Sequence, residues 1–184
     1  MTIQQLALDI QGCTRCGLGE GRNSIVFGDG NPQAELMLIG EGPGKDEDEQ
    51  GLPFVGKAGQ LLDRILGAIN LTRQDAYIAN VVKCRPPGNR VPTRVEATAC
   101  LPYLYRQIEL VQPKIIVLLG STALQNLIGP EARITKMRGR WLETKSGIKI
   151  MPTFHPAAVL RDPGKRRPVW EDFQQVQEEY LTCK

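Results

Sequence analysis

Apolar residues are distributed along the chain in two rhythms. Short, nearly unbroken runs fall at 35–39, 76–82, 114–120 and 148–153, and a compact run of that kind reads as a strand buried on both faces of a parallel sheet. Between them, apolar positions recur at helical spacing. Ile3, Leu6, Ala7 and Ile10 form a short stripe closed by Gly12, while Ala58, Leu61, Leu62, Ile65, Leu66 and Ile69 form a longer one within 56–71. Thr93, with Glu96 three residues on, is a capping box that opens a helix reaching about Glu109. Ser121 is placed to cap a helix ending near Gly129, and 169–180 supplies a closing helix.

Strand and helix therefore alternate, which predicts an α/β fold. The expected architecture is a three-layer α/β/α single domain covering residues 1–184, with a central, mostly parallel four-stranded sheet. Glu41, Asn80, Gly120 and His155 all fall at or just beyond the C-terminal ends of these strands. In open parallel sheets ligands bind at that edge.

Composition changes this picture little. With 184 residues, 41% hydrophobic and 23% charged, the chain is an ordinary globule large enough for one well-buried core. The net charge of +3 is too mild to establish a nucleic-acid partner by itself, but the basic residues cluster at 85–94, 136–140 and 161–167, where loops rich in Arg and Lys can face phosphates. Asp46, Asp48 and Glu49 read as a solvated acidic stretch. The first ten residues lack the basic start of a signal peptide, and no apolar stretch approaches the roughly 20 residues that span a bilayer. A cytoplasmic protein with no membrane partner is expected, nucleoid-associated if the source is prokaryotic.

In a reducing compartment five cysteines argue for metal ligation, redox chemistry or burial rather than disulfides. Cys13 and Cys16 have the two-residue spacing with which thiolates grip one metal from a single turn, and Cys84 and Cys100 complete a set of four. Such a set holds either zinc or an iron–sulfur cluster; small buried hydrophobes are the plainer reading. Cys183, next to the C-terminus, is left outside the set. The loop Gly40-Glu41-Gly42-Pro43-Gly44 follows a strand directly, and its glycines let the backbone approach a ligand closely. It lacks both the GKS/T ending of a P-loop and the G-x-G-x-x-G spacing of a dinucleotide site.

Four segments together carry a specific resemblance: Gly40-Glu41-Gly42-Pro43-Gly44 through Asp48, the run from Gly51-Leu52-Pro53-Phe54 to Leu62, Asn80-Val81-Val82-Lys83-Cys84-Arg85-Pro86-Pro87, and His155-Pro156-Ala157-Ala158. The chain resembles the family 4 uracil-DNA glycosylases from about residue 10 to residue 175. That resemblance implies a compact α/β/α fold, a 4Fe-4S cluster on Cys13, Cys16, Cys84 and Cys100, and hydrolytic removal of uracil from single- or double-stranded DNA by a monomer, leaving an abasic site.

It also implies roles for particular residues. His155 would stabilise the departing uracil anion, and backbone atoms of Glu41 and Gly42 would position water. Asn80 would read the uracil edge, Phe54 would stack on the flipped base, and Gly40 would line the same pocket. The side chain of Glu41, or Glu47, would assist the sugar cation or block the methyl group of thymine. DNA contact would come from a wedge at Val159 or Leu160 and from Arg161, Arg85 and Arg90. The competing expectation is a non-catalytic iron–sulfur DNA-binding module of a replication or repair complex, in which replacing His155 or Asn80 leaves function largely intact.

Overall fold

A computed structural model describes all residues, 1–184. Nine helices surround one sheet. In chain order the elements are α1 (Ile3–Asp9), α2 (Leu18–Gly21), β1 (Asp29–Gly30), β2 (Leu36–Gly40), α3 (Lys45–Gln50), α4 (Lys57–Ala68), β3 (Ala76–Asn80), α5 (Arg94–Val111), β4 (Ile115–Leu119), α6 (Ser121–Leu127), α7 (Ile134–Met137), β5 (Leu142–Glu143), β6 (Lys149–Thr153), α8 (Pro156–Arg161) and α9 (Arg166–Thr182). The sheet order is β1-β3-β2-β4-β6-β5.

The four apolar runs form the parallel centre of this sheet, with Gly40 in register with Asn80 and Leu119 with Thr153. The sheet has six strands rather than the expected four, because β1 and β5 pair antiparallel at its two edges. Each is two residues long, too short to leave a periodic signal. Along β2 the side chains alternate as a strand requires: Met37 and Ile39 enter a core beneath α1 and α5, whereas Leu36 and Leu38 enter a second core with residues of α4, α8 and α9. The three-layer expectation is met by these two cores.

The capping box at Thr93 and Glu96 is present as read from the sequence. Two local expectations are corrected. Gly120, at φ +93°, is the residue before α6, so Ser121 is its first helical residue rather than its cap. The acidic stretch is helical in α3, and Asp48 within it is buried: its carboxylate accepts from the backbone N–H and side-chain amide of Asn23 at 2.9 and 2.8 Å and from the Ser24 N–H at 3.2 Å. Three donors make burial of that charge tolerable, and the loop leading into β1 is pinned in consequence. No helix is long and apolar enough to cross a membrane.

A candidate active site at the C-terminal edge of the sheet

Gly40 and Asn80 end two adjacent strands side by side. A side chain at Gly40 would collide with what already lies above it: a Cβ there would stand 2.6 Å from Asn80 Oδ1 and 2.7 Å from Phe54 Cζ. Glycine is what lets the amide and the ring meet over the strand end. The Phe54 ring in turn stacks on the imidazole of His155, with centroids 5.5 Å apart and planes inclined by 28°. Four residues expected from the sequence to share a pocket are thus brought together from four separate segments.

Asn80 is 2% exposed, and its Oδ1 is the one buried side-chain polar atom in the protein that lacks a hydrogen-bond partner. Buried acceptors are nearly always paired, and leaving one bare costs about 1–3 kcal/mol. An unpaired amide oxygen at the ligand-binding edge of a sheet is an acceptor held ready for a ligand donor.

His155 precedes α8 and caps it: Nδ1 accepts the N–H of Ala157 at 3.0 Å. That bond fixes the tautomer, since Nδ1 carries the lone pair and Nε2 must carry the proton. Burial first, and the charge of Arg161 second, push the imidazole down from 6.5 to about 4. At neutral pH the ring is uncharged and offers one N–H donor. Its strand is held by a buried polar cluster in which Thr153 Oγ1 donates to Asp172 at 2.6 Å and the Arg138 guanidinium grips the same carboxylate.

The loop carrying Phe54 is under local strain. Phe54 adopts φ +53°, a left-handed conformation that a bulky residue avoids unless its surroundings enforce it. Arg73 does so by donating to the carbonyl oxygens of Pro53, at 2.8 Å, and of Phe54, while its Nε contacts Asp63 at 2.5 Å. The first turn of α4 presses equally close, because a Cβ on Gly59 would lie 1.8 Å from the Phe54 oxygen.

Glu41 and Glu47, which sequence alone leaves undivided, are separated by their partners. Glu47 accepts the N–H of Gly44 at 3.3 Å and that of Gly56 at 3.2 Å, one on each oxygen. Its carboxylate buckles the glycine loop to the Phe54 loop. Glu41 receives one bond, from Thr122 Oγ1 at 2.5 Å, which leaves its second oxygen free of protein donors. A Cβ on Gly42 would meet Val82 Cγ2 at 2.7 Å, so the backbone there lies against the neighbouring strand exit.

The expected DNA-contacting residues divide similarly. Val159 is buried at 2% exposure in the core beside α4, which removes it as a wedge, whereas Leu160 is 43% exposed. Arg64 and Arg166 line a cavity with Leu160, and Arg161 is exposed next to it. Arg90 is engaged elsewhere, forming a two-pronged pair with Glu96 at 2.9 and 2.7 Å that holds the Glu96 carboxyl down to about 2. Arg85 bonds the neutral Asn89 oxygen at 2.7 Å and keeps its charge uncompensated.

Cys13, Cys16, Cys84 and Cys100 line a single cavity. All are free. Tyr103 donates its hydroxyl to Cys13 Sγ at 3.2 Å, and Arg22 Nη1 lies 3.6 Å from Cys84 Sγ. Burial pushes the Cys100 thiol up to about 11, opposed by the nearby Lys83 ammonium.

Sequence reasoning missed Arg73, Thr122, Arg64, Arg22 and Lys83. Lys83 had a signal, since it lies inside the segment that links Asn80 to Cys84. Arg73 had none, because its partners are 10 to 20 positions away.

Comparison with known proteins shows the family. The model of the uracil DNA glycosylase superfamily matches residues 27–174. The chain belongs to that superfamily. Within it, similarity to type-4 members extends over nearly the whole chain, as the family 4 resemblance implies. A type-4 uracil-DNA glycosylase of Thermotoga maritima is 45% identical over 91% of this chain and 88% of its own length. One from Sulfurisphaera tokodaii is 42% identical over 100% of this chain and 87% of its own. A type-5 uracil-DNA glycosylase of Pyrobaculum aerophilum is 28% identical over 79% of this chain and 70% of its own. Within the uracil-DNA glycosylase match lie the glycine loop, Phe54, Asn80 and His155; Cys13 and Cys16 lie ahead of it.

Proposed function

We infer that this protein is a DNA repair enzyme that hydrolyses the bond between uracil and deoxyribose in DNA, releasing free uracil and leaving an abasic site. The observation that carries this reading is the bare Oδ1 of Asn80 beside a neutral histidine with its Nε2–H available. Uracil presents N3–H as a donor and O4 as an acceptor. Asn80 can accept the first with Oδ1 and donate to the second with Nδ2, while cytosine presents a bare N3 and an amino group and mismatches both.

The target nucleotide must leave the stack to reach this edge, at a cost of a few kcal/mol. Phe54 supplies the apolar wall on which the flipped base rests. As the C1′–N1 bond breaks, its electron pair stays with uracil, and charge gathers on O2. His155 donates its Nε2–H to that oxygen. Because the donor is neutral and fixed by Ala157, its hydrogen bond strengthens as the anion forms and requires no proton transfer. Water adds at C1′ and loses a proton. Backbone atoms of Glu41 and Gly42 orient this water, with the free oxygen of Glu41 facing the cationic sugar. Glu47 acts through the loops it joins.

The four thiols suit a 4Fe-4S cluster. They line one cavity, four thiolates are a donor set that holds such a cluster, and the family 4 resemblance favours it over zinc. When bound, the cluster would clamp the segments carrying Cys13, Cys16, Cys84 and Cys100; hydrolysis transfers no electron. Leu160, Arg64, Arg161, Arg166 and Arg85 form the DNA-facing surface, and a monomer acting in the cytoplasm fits this reading.

Release of free uracil from a single-stranded oligonucleotide carrying one deoxyuridine tests the reading, with protein purified without oxygen. The wild type should release uracil, and His155→Ala should lower the single-turnover rate by about 100-fold or more. Folded wild-type protein that releases none would sink the proposal.

A further inference from the structure

Lys83 is a fully buried lysine that stands between the two centres, three residues after Asn80 and one before Cys84. Its ammonium donates to the backbone oxygen of Asn80 at 2.8 Å and to Gln107 Oε1 at 2.6 Å. Gln107 is fixed in turn, since its Nε2 donates to the Phe27 oxygen at 2.8 Å and contacts the Tyr77 hydroxyl at 3.2 Å. The lysine also lines the cysteine cavity. It has no carboxylate partner. A buried ammonium without one is costly, and the side chains of Cys84 and Cys100 line the same cavity.

The consequence lies in the peptide that follows Asn80. Its N–H, on Val81, donates to the Gly40 oxygen at 2.9 Å, and its carbonyl is gripped by Lys83. Held at both ends, this peptide plane cannot turn. The side-chain amide of Asn80 has no protein partner for its oxygen, so no bond at that atom sets its direction.

We propose that Lys83 is a positioning residue for uracil recognition, holding the Asn80 peptide so that the bare amide faces the base. This rests on the reading of Asn80 as the base-reading group and of the cysteines as cluster ligands. The lysine touches neither the base nor the sugar, and its effect passes through Asn80. It therefore predicts a change in uracil affinity, with bond cleavage less affected.

Four proteins, wild type, Lys83→Met, Asn80→Ala and the double variant, test this through inhibition by free uracil, KM and kcat on single-stranded DNA, iron content and visible absorption. Lys83→Met should keep its iron and absorption while free uracil inhibits about tenfold less well, the effect of losing one buried hydrogen bond. KM should rise more than kcat falls. In the Asn80→Ala background the lysine substitution should add nothing, since residues acting through one another are not additive. Wild-type inhibition by uracil in Lys83→Met, additive effects, or loss of iron together with affinity would each overturn the proposal. Wild-type behaviour of Asn80→Ala would instead overturn the reading of Asn80. Should Lys83→Met fail to fold, Lys83→Met with Gln107→Leu removes both polar ends together and is measured in the same way.

Discussion

His155 shows how one backbone contact decides the chemistry of a side chain. With Nδ1 committed to Ala157, the ring has a single role open to it, donation from Nε2. The direction of its pKa shift gives a test. An imidazole lowered from 6.5 to about 4 stays neutral throughout the usual range, so the acid limb of kcat/KM should fall with a midpoint near pH 4. A midpoint near 6.5 would mean that the ring titrates as if exposed. The same shift has a thermodynamic sign: between pH 6.5 and about 4 the unfolded chain binds a proton that the folded one refuses, so this residue lowers stability as pH falls through that window and contributes nothing to the slope above it. Residues of this kind were legible in the sequence because they sit at strand ends inside dense motifs. Asp48 was not, since an acidic run carries no mark of which member turns inward; only the distant Asn23 and Ser24 amides determine it.

At the scale of elements, periodicity revealed what it physically encodes. The four central strands are buried on both faces and so show unbroken apolar runs, and α4 buries one face and so shows a stripe; β1, β5, α7 and α8 are too short to repeat a pattern. What periodicity cannot show is how a loop is held. The Phe54 loop keeps a left-handed residue in place through Arg73, which reaches back across α4 to the Pro53 and Phe54 carbonyls. Replacing Arg73 with Ala should let Phe54 relax toward an ordinary conformation and withdraw its ring from His155. Holding strain of this kind is worth about 1–3 kcal/mol, so kcat/KM on single-stranded DNA should fall by about tenfold or more. A comparable loss in Arg73→Lys would indicate that the forked geometry matters; unchanged kinetics in Arg73→Ala would show that the loop holds itself.

At the scale of the whole molecule, the glycine loop, Asn80 and His155 converge because parallel strands share one C-terminal edge. The sequence predicted that edge from the order of its elements, but it could not choose the residue that fills the gap left by a flipped nucleotide. Burial leaves Leu160 as the proposed one: Val159 turns into the core and Leu160 outward, flanked by Arg64 and Arg166. None of Arg64, Arg161 and Arg166 joins an ion pair, whereas Lys165 and Arg167 are matched with Asp162 and Glu171. In the proposed complex the unpaired three, like Arg85, would bring their full charge to phosphates. An apolar side chain inserted into a duplex offsets the few kcal/mol of unstacking, and a single strand has no stack to restore. Leu160→Ala should therefore lower uracil release from duplex DNA by about tenfold or more while leaving release from a single strand nearly unchanged. Arg161→Ala should weaken binding to both substrates and reduce the salt slope by about one. Equal losses on the two substrates for Leu160→Ala would place the leucine in general strand binding rather than in the gap.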